Sequence, residues 1–138
     1  MKLQHRKNKG SGFTLIEIML VIATIALLAV IAVPNYFRSR KRSQAVRVLV
    51  DIRALDSAID QYTIEYHRSG QEAIGPGDID YFKKYIKPGT KVYESLPNDL
   101  LGNPYTMTIL DSVPKVSDAT FAAFSDVAGL DFWSPYYP

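Results

Sequence analysis

Between Phe13 and Val33, 21 consecutive residues carry one formal charge, Glu17, and only two other polar side chains, Thr14 and Thr24. A helix of that length is about 31 Å long, which matches the roughly 30 Å hydrocarbon core of a bilayer. The run therefore reads as a membrane helix. The acid is its anomaly, because a carboxylate costs on the order of 2.5 to 3.5 kcal/mol at the bilayer centre and less toward the edge. Such a group needs a partner. Glu17 lies one turn into the helix, where the macrodipole is positive and a neighbouring free amine would neutralise it. A cut just before Phe13 would create that amine.

The residues around this point form a pattern. Met1 to Gly12 is short and basic, with Lys2, Arg6, Lys7 and Lys9, and ends in glycine; Phe13-Thr14-Leu15-Ile16-Glu17 and the apolar run follow. This resembles the class III signal of type IV pilins and type II secretion pseudopilins over about the first 35 residues. The resemblance implies cleavage between Gly12 and Phe13 by a prepilin peptidase on the cytoplasmic side, N-methylation of Phe13, and a role for Glu17 in assembly. Two other readings compete. An ordinary secretory signal would have a shorter apolar core without an acid and would be cut after Ala32, with Val30 and Ala32 at the right spacing. A plain anchor helix would carry Glu17 by accident.

Charge bears on the partners. The whole chain has 16 basic and 14 acidic side chains, but with the four leader cations removed 12 basic face 14 acidic. That balance leaves no nucleic-acid footprint. The leader should stay in the cytoplasm by the positive-inside tendency. Arg38, Arg40, Lys41 and Arg42 stand just past the far end of the run and oppose it four to four. Orientation then rests on the leader resemblance and on the large C-terminal part needing water; the resemblance implies a C-terminal head in the periplasm and an anchor in the bacterial inner membrane. The chain has no cysteine, so its fold forgoes disulfides.

Pro34 follows the run and removes a helical hydrogen bond to the carbonyl of Val30. It reads as a bend within one long helix, or else as the helix end at the membrane surface. Continuation is favoured by Ala45, Val48, Ile52, Leu55, Ile59, Tyr62 and Tyr66, whose alternating steps of three and four make one apolar stripe. Arg47 and Asp51 are spaced for a surface pair. A coiled-coil seam is too short an account of this stripe, so it is expected to lie across a small sheet.

Beyond the helix, Arg68-Ser69-Gly70 is expected to end it with glycine in the left-handed conformation. Asp78 is placed to cap a short helix from Ile79 to Ile86, with Ile79, Phe82 and Ile86 on one face. Thr90 to Leu96 reads as a strand or extended loop. Asn98 to Pro104 is rich in turn formers and leads into a strand from Tyr105 to Leu110, with Tyr105, Met107 and Ile109 on one face. This segment is similar to the Asp-Pro-Trp-Gly-Asn-Pro-Tyr segment of major, G-type pseudopilins, with Leu100 and Leu101 where Pro and Trp usually stand. Ser117 is placed to cap a helix from Asp118 to Val127 that buries Phe121, Ala122 and Phe124. Phe132 and Trp133 are expected to pack on the core, with Tyr136 and Tyr137 open either way.

No catalytic constellation is present. His5 lies in the leader and His67 at a helix end, and no Cys nucleophile or glycine-rich phosphate loop occurs. The expectation is a non-enzyme without a cofactor. One alternative ligand is calcium, which the C-terminal loop of G-type pseudopilins binds; Asp118, Asp126 and Asp131 are the candidates, with Asp111 nearby, although their spacing follows no recognised loop. The chain thus divides into a cleaved leader (1–12), the membrane half of the N-terminal helix (13–33), and an amphipathic half-helix with a small head (34–138). The resemblance implies an α+β pilin-like fold, with the long helix packed on a small antiparallel sheet. It also implies a subunit of a helical filament built on an inner-membrane assembly platform from identical or related pilin subunits. A secretion pseudopilin that drives protein export, a type IV pilus subunit for adhesion, motility or DNA uptake, and a tethered periplasmic module that never polymerises are the three functional readings.

Overall fold

The computed structural model describes residues 12–137; all but the last residue of the expected leader lies outside them. The chain divides into two compact units after Phe37. One helix, α1, runs Leu15–Glu65 and contains Pro34, so it does not end at the proline. In the first unit every residue of the apolar run is exposed. Thr24, the polar residue in its middle, donates its hydroxyl to the carbonyl of Val21 (2.8 Å), which keeps the group satisfied without water.

The second unit is built on the other half of α1. Ala45, Val48, Ile52, Leu55, Ile59 and Tyr62 are all buried, at 0 to 2% exposure, and Leu49 and Ala58 widen the stripe. Tyr66, expected to continue it, lies one residue past the helix end and is 42% exposed, with its ring against those of Tyr62 and Tyr81. Asp51 is half-buried, not a surface partner of Arg47; burial raises its carboxyl above the ordinary range and Arg47 offsets this in part.

The helix stops in a Schellman arrangement. The Arg68 N–H reaches the carbonyl of Thr63 and that of His67 the carbonyl of Ile64. The left-handed residue is His67 (φ 50°), not Gly70. Glycine is needed at 70 for a different reason: a Cβ there would stand 2.7 Å from Cβ of Asp111, whose N–H bonds the Gly70 carbonyl.

Four short helices and a few antiparallel pairings cover the stripe. Helix α2, Asp78–Phe82, passes into a 3₁₀ turn, Lys83–Tyr85, with Phe82 and Ile86 buried. Asp78 does not cap it. Its carboxylate instead accepts the N–H of Gly75 (2.8 Å) and the hydroxyl of Tyr62 (2.9 Å), tying the loop to α1. Arg68 completes this tie by donating to the Tyr62 hydroxyl (2.8 Å) and to Glu72.

Residues 91–95, expected to be extended, form α3, Lys91–Ser95. Thr90 is its cap, accepting from the N–H of Tyr93, and burial of Val92 and Leu96 outweighs the strand preference of Val and Tyr. Helix α4, Asp118–Phe124, starts at the expected Ser117 cap but is shorter than expected. It buries Thr120 and Phe124, half-buries Phe121, and leaves Ala122 exposed. In α5, Leu130–Trp133, Trp133 is fully buried.

The sheet component is small and antiparallel. Residue 109 pairs with Ala73, 106 with Lys115 and 98 with Pro104. Thr106 and Lys115 exchange both N–H bonds (2.8 and 2.9 Å), and the N–H of Leu110 bonds the carbonyl of Glu72 (3.1 Å). Tyr105 is buried and Met107 and Ile109 are half-buried, while Thr106 and Thr108 are exposed, so the alternation holds. The arrangement is the α+β pilin-like fold. Its C-terminal segment is strapped back: Val116 bonds the carbonyl of Tyr136, Tyr136 donates to Asp56 on α1 (3.1 Å), and Tyr137 stacks on Phe121 at 4.0 Å.

Asp99, 3% exposed, organises the loop before the 105–110 segment. One carboxylate oxygen accepts the N–H groups of Leu101 (2.8 Å) and Asn103 (2.9 Å), and the other accepts the hydroxyl of Thr120 on α4. Asn103 also donates to Thr120 (3.0 Å), and Gly102 takes φ 86° to close the turn. The side chains and the turn that hold this loop thus come from Asp99, Gly102 and Asn103. Leu101, one of the two positions that depart from the similar segment, is 43% exposed. Replacing Asp99 with Ala should cost on the order of 3 kcal/mol, since each buried group left unpaired costs about 1–3 kcal/mol. A thermal melt should fall by about 10–20 °C. Leu101→Ala should stay within about 1 kcal/mol; equal losses in the two variants would show that the network does not hold the loop.

Candidate processing and assembly segment

The segment Gly12 to Glu17 precedes and opens α1. The first four N–H groups of any helix lack an intrahelical partner, and in hydrocarbon no water replaces it. Here Thr14 and Glu17 answer the problem reciprocally. The N–H of Glu17 reaches the Thr14 hydroxyl oxygen (3.3 Å), while one carboxylate oxygen of Glu17, Oε2, accepts both the N–H (2.8 Å) and the hydroxyl (2.9 Å) of Thr14. This is a capping box, with Thr14 as the cap and Glu17 three residues on. It also sets a negative group at the positive end of the helix.

Sequence reasoning sought a partner for Glu17 in a new amine and overlooked the nearer one. The signal was present as Thr-x-x-Glu ahead of an apolar run. The box leaves part of the acid unused. Both Thr14 bonds fall on Oε2, and Oε1 has no hydrogen-bond partner among the described residues. Phe13 is 83% exposed, as are most of its neighbours in α1 to a large degree.

Gly12 has no steric reason of its own to be glycine. A Cβ built there meets no described atom within 4 Å. Downstream, α1 has an 18-residue window of mean hydropathy 2.9 with none of it buried, long and apolar enough to cross a membrane. Pro34 lies inside the same helix.

The other candidates are dispersed. Asp118 accepts the hydroxyl of Tyr137 (3.0 Å), Asp126 pairs with Lys41 (2.6 Å), and Asp131 is exposed at the start of α5. The Lys41 hydrogen bond holds the Asp126 carboxyl below the usual range. Among the described residues, no three His, Cys, Asp or Glu side chains are grouped so as to hold a metal. His67 serves as the left-handed residue that closes α1, a backbone role.

Known proteins align with this chain over most of its length. It is 40% identical over 108 residues to type II secretion system core protein G of Klebsiella michiganensis, covering 74% of this chain and 75% of that protein. It is 33% identical over 108 residues to the core protein G of Aeromonas hydrophila, with the same coverage. It is also 39% identical over 69 residues to a type IV major fimbrial protein of Dichelobacter nodosus, covering 50% of this chain and 44% of that one. No family model matches the chain, and no solved structure matches it.

Proposed function

The chain belongs to the family of type II secretion core protein G, the pseudopilins, and we propose from this that it is a filament subunit that drives protein export from the inner membrane. The observation that carries the proposal is the half-used carboxylate of Glu17 in an otherwise apolar, uncovered helix. In this reading a prepilin peptidase cuts between Gly12 and Phe13 on the cytoplasmic side, Phe13 is N-methylated, and the head faces the periplasm. An inner-membrane platform then feeds subunits into a helical fibre. The amine of an incoming Phe13 meets Oε1 of the subunit already in place, while Oε2 keeps its bonds to Thr14. Pro34, inside α1, removes one backbone hydrogen bond there and serves as the weak point of that helix. In this reading the protein has a structural role and no catalytic one.

A type IV pilus subunit is the second reading, supported by the fimbrial relative. The secretion reading is preferred because those matches extend over 108 residues, more than twice the length of α1, whereas the fimbrial match extends over 69. In a tethered module that never polymerises, Glu17 would do no more than cap its own helix, and its second carboxylate oxygen, Oε1, would have no role.

Processing supplies the direct test. Mass spectrometry of the membrane-bound protein should find a chain beginning at N-methylated Phe13, and Gly12→Val should leave precursor. Because a side chain at 12 meets nothing within 4 Å among the described residues, that block would report on the peptidase and not on folding. An intact leader in the wild type, or a cut after Ala32, would overturn the reading.

The head is further proposed to stand without calcium, since two of the three candidate aspartates are already occupied by Tyr137 and Lys41. A chelator should leave its melting temperature unchanged. A clear fall restored by calcium would reinstate Asp118, Asp126 and Asp131 as ligands.

A further inference from the structure

Four cations crowd into the five residues from Arg38 to Arg42, and they are not equivalent. Lys41 is partly buried and committed to Asp126. Arg38, Arg40 and Arg42 are exposed and form no ion pair among the described residues. We propose that these three arginines are a docking site for the phosphates of anionic phospholipids at the head end of the membrane helix. The proposal rests on the reading of α1 as membrane-spanning with its head outside the cytoplasm.

Position comes first. Arg38 and Arg42 follow Val33, the end of the apolar run, by five and nine residues, about 8 to 14 Å of helix. A bilayer of roughly 40–45 Å with a 30 Å hydrocarbon core has a headgroup layer of about 5–8 Å on each side. Arginine side chains that start in or just above that layer reach back to it with their apolar stems lying along the helix. Their planar guanidinium groups suit a phosphate, which accepts two parallel hydrogen bonds.

Arrangement selects lipid over a protein partner. At about 100° per residue, Arg38 and Arg42 share one face of α1 and Arg40 lies on the other. One protein surface cannot cover both faces, but lipids surround the helix. Charge supplies the need: cations on the far side of a membrane oppose the positive-inside tendency, and an anionic headgroup compensates for them there. The contact would hold a subunit at a fixed depth in the bilayer until it is drawn into a fibre, when the three phosphates must be exchanged for other partners.

The test uses the full chain with Ser43→Cys, an exposed position in a protein without other cysteines, labelled with a fluorescent donor. It is reconstituted into phosphatidylcholine vesicles containing a trace of acyl-chain-labelled phosphatidylglycerol or, in parallel, labelled phosphatidylcholine. Energy transfer should report a local enrichment of phosphatidylglycerol of up to about fivefold per arginine. High salt should weaken it. Arg38→Gln with Arg40→Gln and Arg42→Gln should abolish it, while Lys41→Gln should leave it in place.

Equal transfer to both lipids, or an enrichment that survives the triple change, overturns the proposal. So does an enrichment abolished by inorganic phosphate but not by chloride at matched ionic strength, which would mean a site for free anions. Crosslinking of the segment to carboxylates of a second chain, with no lipid preference, would assign the arginines to a protein contact instead. Alkaline extraction separates the two levels: a chain that washes out of the vesicles defeats the membrane reading itself, and a retained chain without lipid preference defeats only the headgroup site.

Discussion

Glu17→Ala is expected to yield a protein that inserts into the membrane and is cut after Gly12, yet fails to assemble. Insertion should be unimpaired because removing an acid makes the helix a better span. Assembly should fail because each subunit that joins an apolar bundle brings the ammonium of Phe13 with it. Leaving one partner of a buried ion pair costs on the order of 3–5 kcal/mol at every joint. At about 1.4 kcal/mol per tenfold, that is a loss of roughly 10² to 4 × 10³ in the equilibrium for adding a subunit. Loss of the capping box adds a smaller term, about 1 kcal/mol of helix-end stability. Crosslinking in intact membranes is the measurement. Ladders from the wild type that vanish in Glu17→Ala support the fibre, and identical monomer patterns in both would leave only the tether.

Ile52→Asp combined with Ile59→Asp should abolish the folded head. Both side chains are buried, at 0% and 1% exposure, in the middle of the stripe, which belongs to the same hydrophobic cluster as Phe82, Val92, Phe124 and Trp133. Truncating one such residue to Ala costs about 2–5 kcal/mol, and placing an unpaired carboxylate there costs more. Two such changes remove about 4–10 kcal/mol through lost packing alone, comparable to the roughly 5–15 kcal/mol by which a domain is stable at all, and the two buried carboxylates add to that loss. Near-ultraviolet circular dichroism of the detergent-solubilised full chain should lose its aromatic signal, to which the packing of Trp133, Phe124 and Tyr62 contributes. A cooperative melt with that signal intact would show that the stripe is not the core.

The parts of this molecule that local pattern decides could be read from its sequence. The apolar run, the stripe from Ala45 to Tyr62 and the Ser117 cap each depend on residues a few positions apart. The turn around Asp99 was legible for the same reason, although its anchor, Thr120, lies 21 residues away and was not. Misreadings cluster where burial overrides propensity. The one-turn helix at Lys91–Ser95 has strand-forming Val92 and Tyr93, and it exists because Val92 and Leu96 have a core to enter. Composition points to Gly70 as the left-handed residue, whereas the hydrogen bonds of the helix end put His67 there. At the candidate site Gly12, Phe13 and Glu17 are legible as a motif, and the capping box is legible too, in the three-residue spacing of Thr14 and Glu17.

The order in which the core is laid down has a consequence for how the protein is made. The face of α1 that ends fully covered is complete once Tyr62 has been added, but Trp133, which helps to cover it, comes about 70 residues later. At a synthesis rate of roughly 5–20 residues per second, that face stays bare for about 4–14 seconds. Throughout that interval a newborn chain presents the kind of surface that sticks to other newborn chains. Two neighbours on adjacent ribosomes could pair through their stripes before either had a head, and the pair would then shut out the residues meant to close over them. Cells that make this protein in quantity should therefore need to keep nascent copies apart, and overproduction should raise the fraction of helix-paired, headless aggregates faster than it raises the yield of subunits.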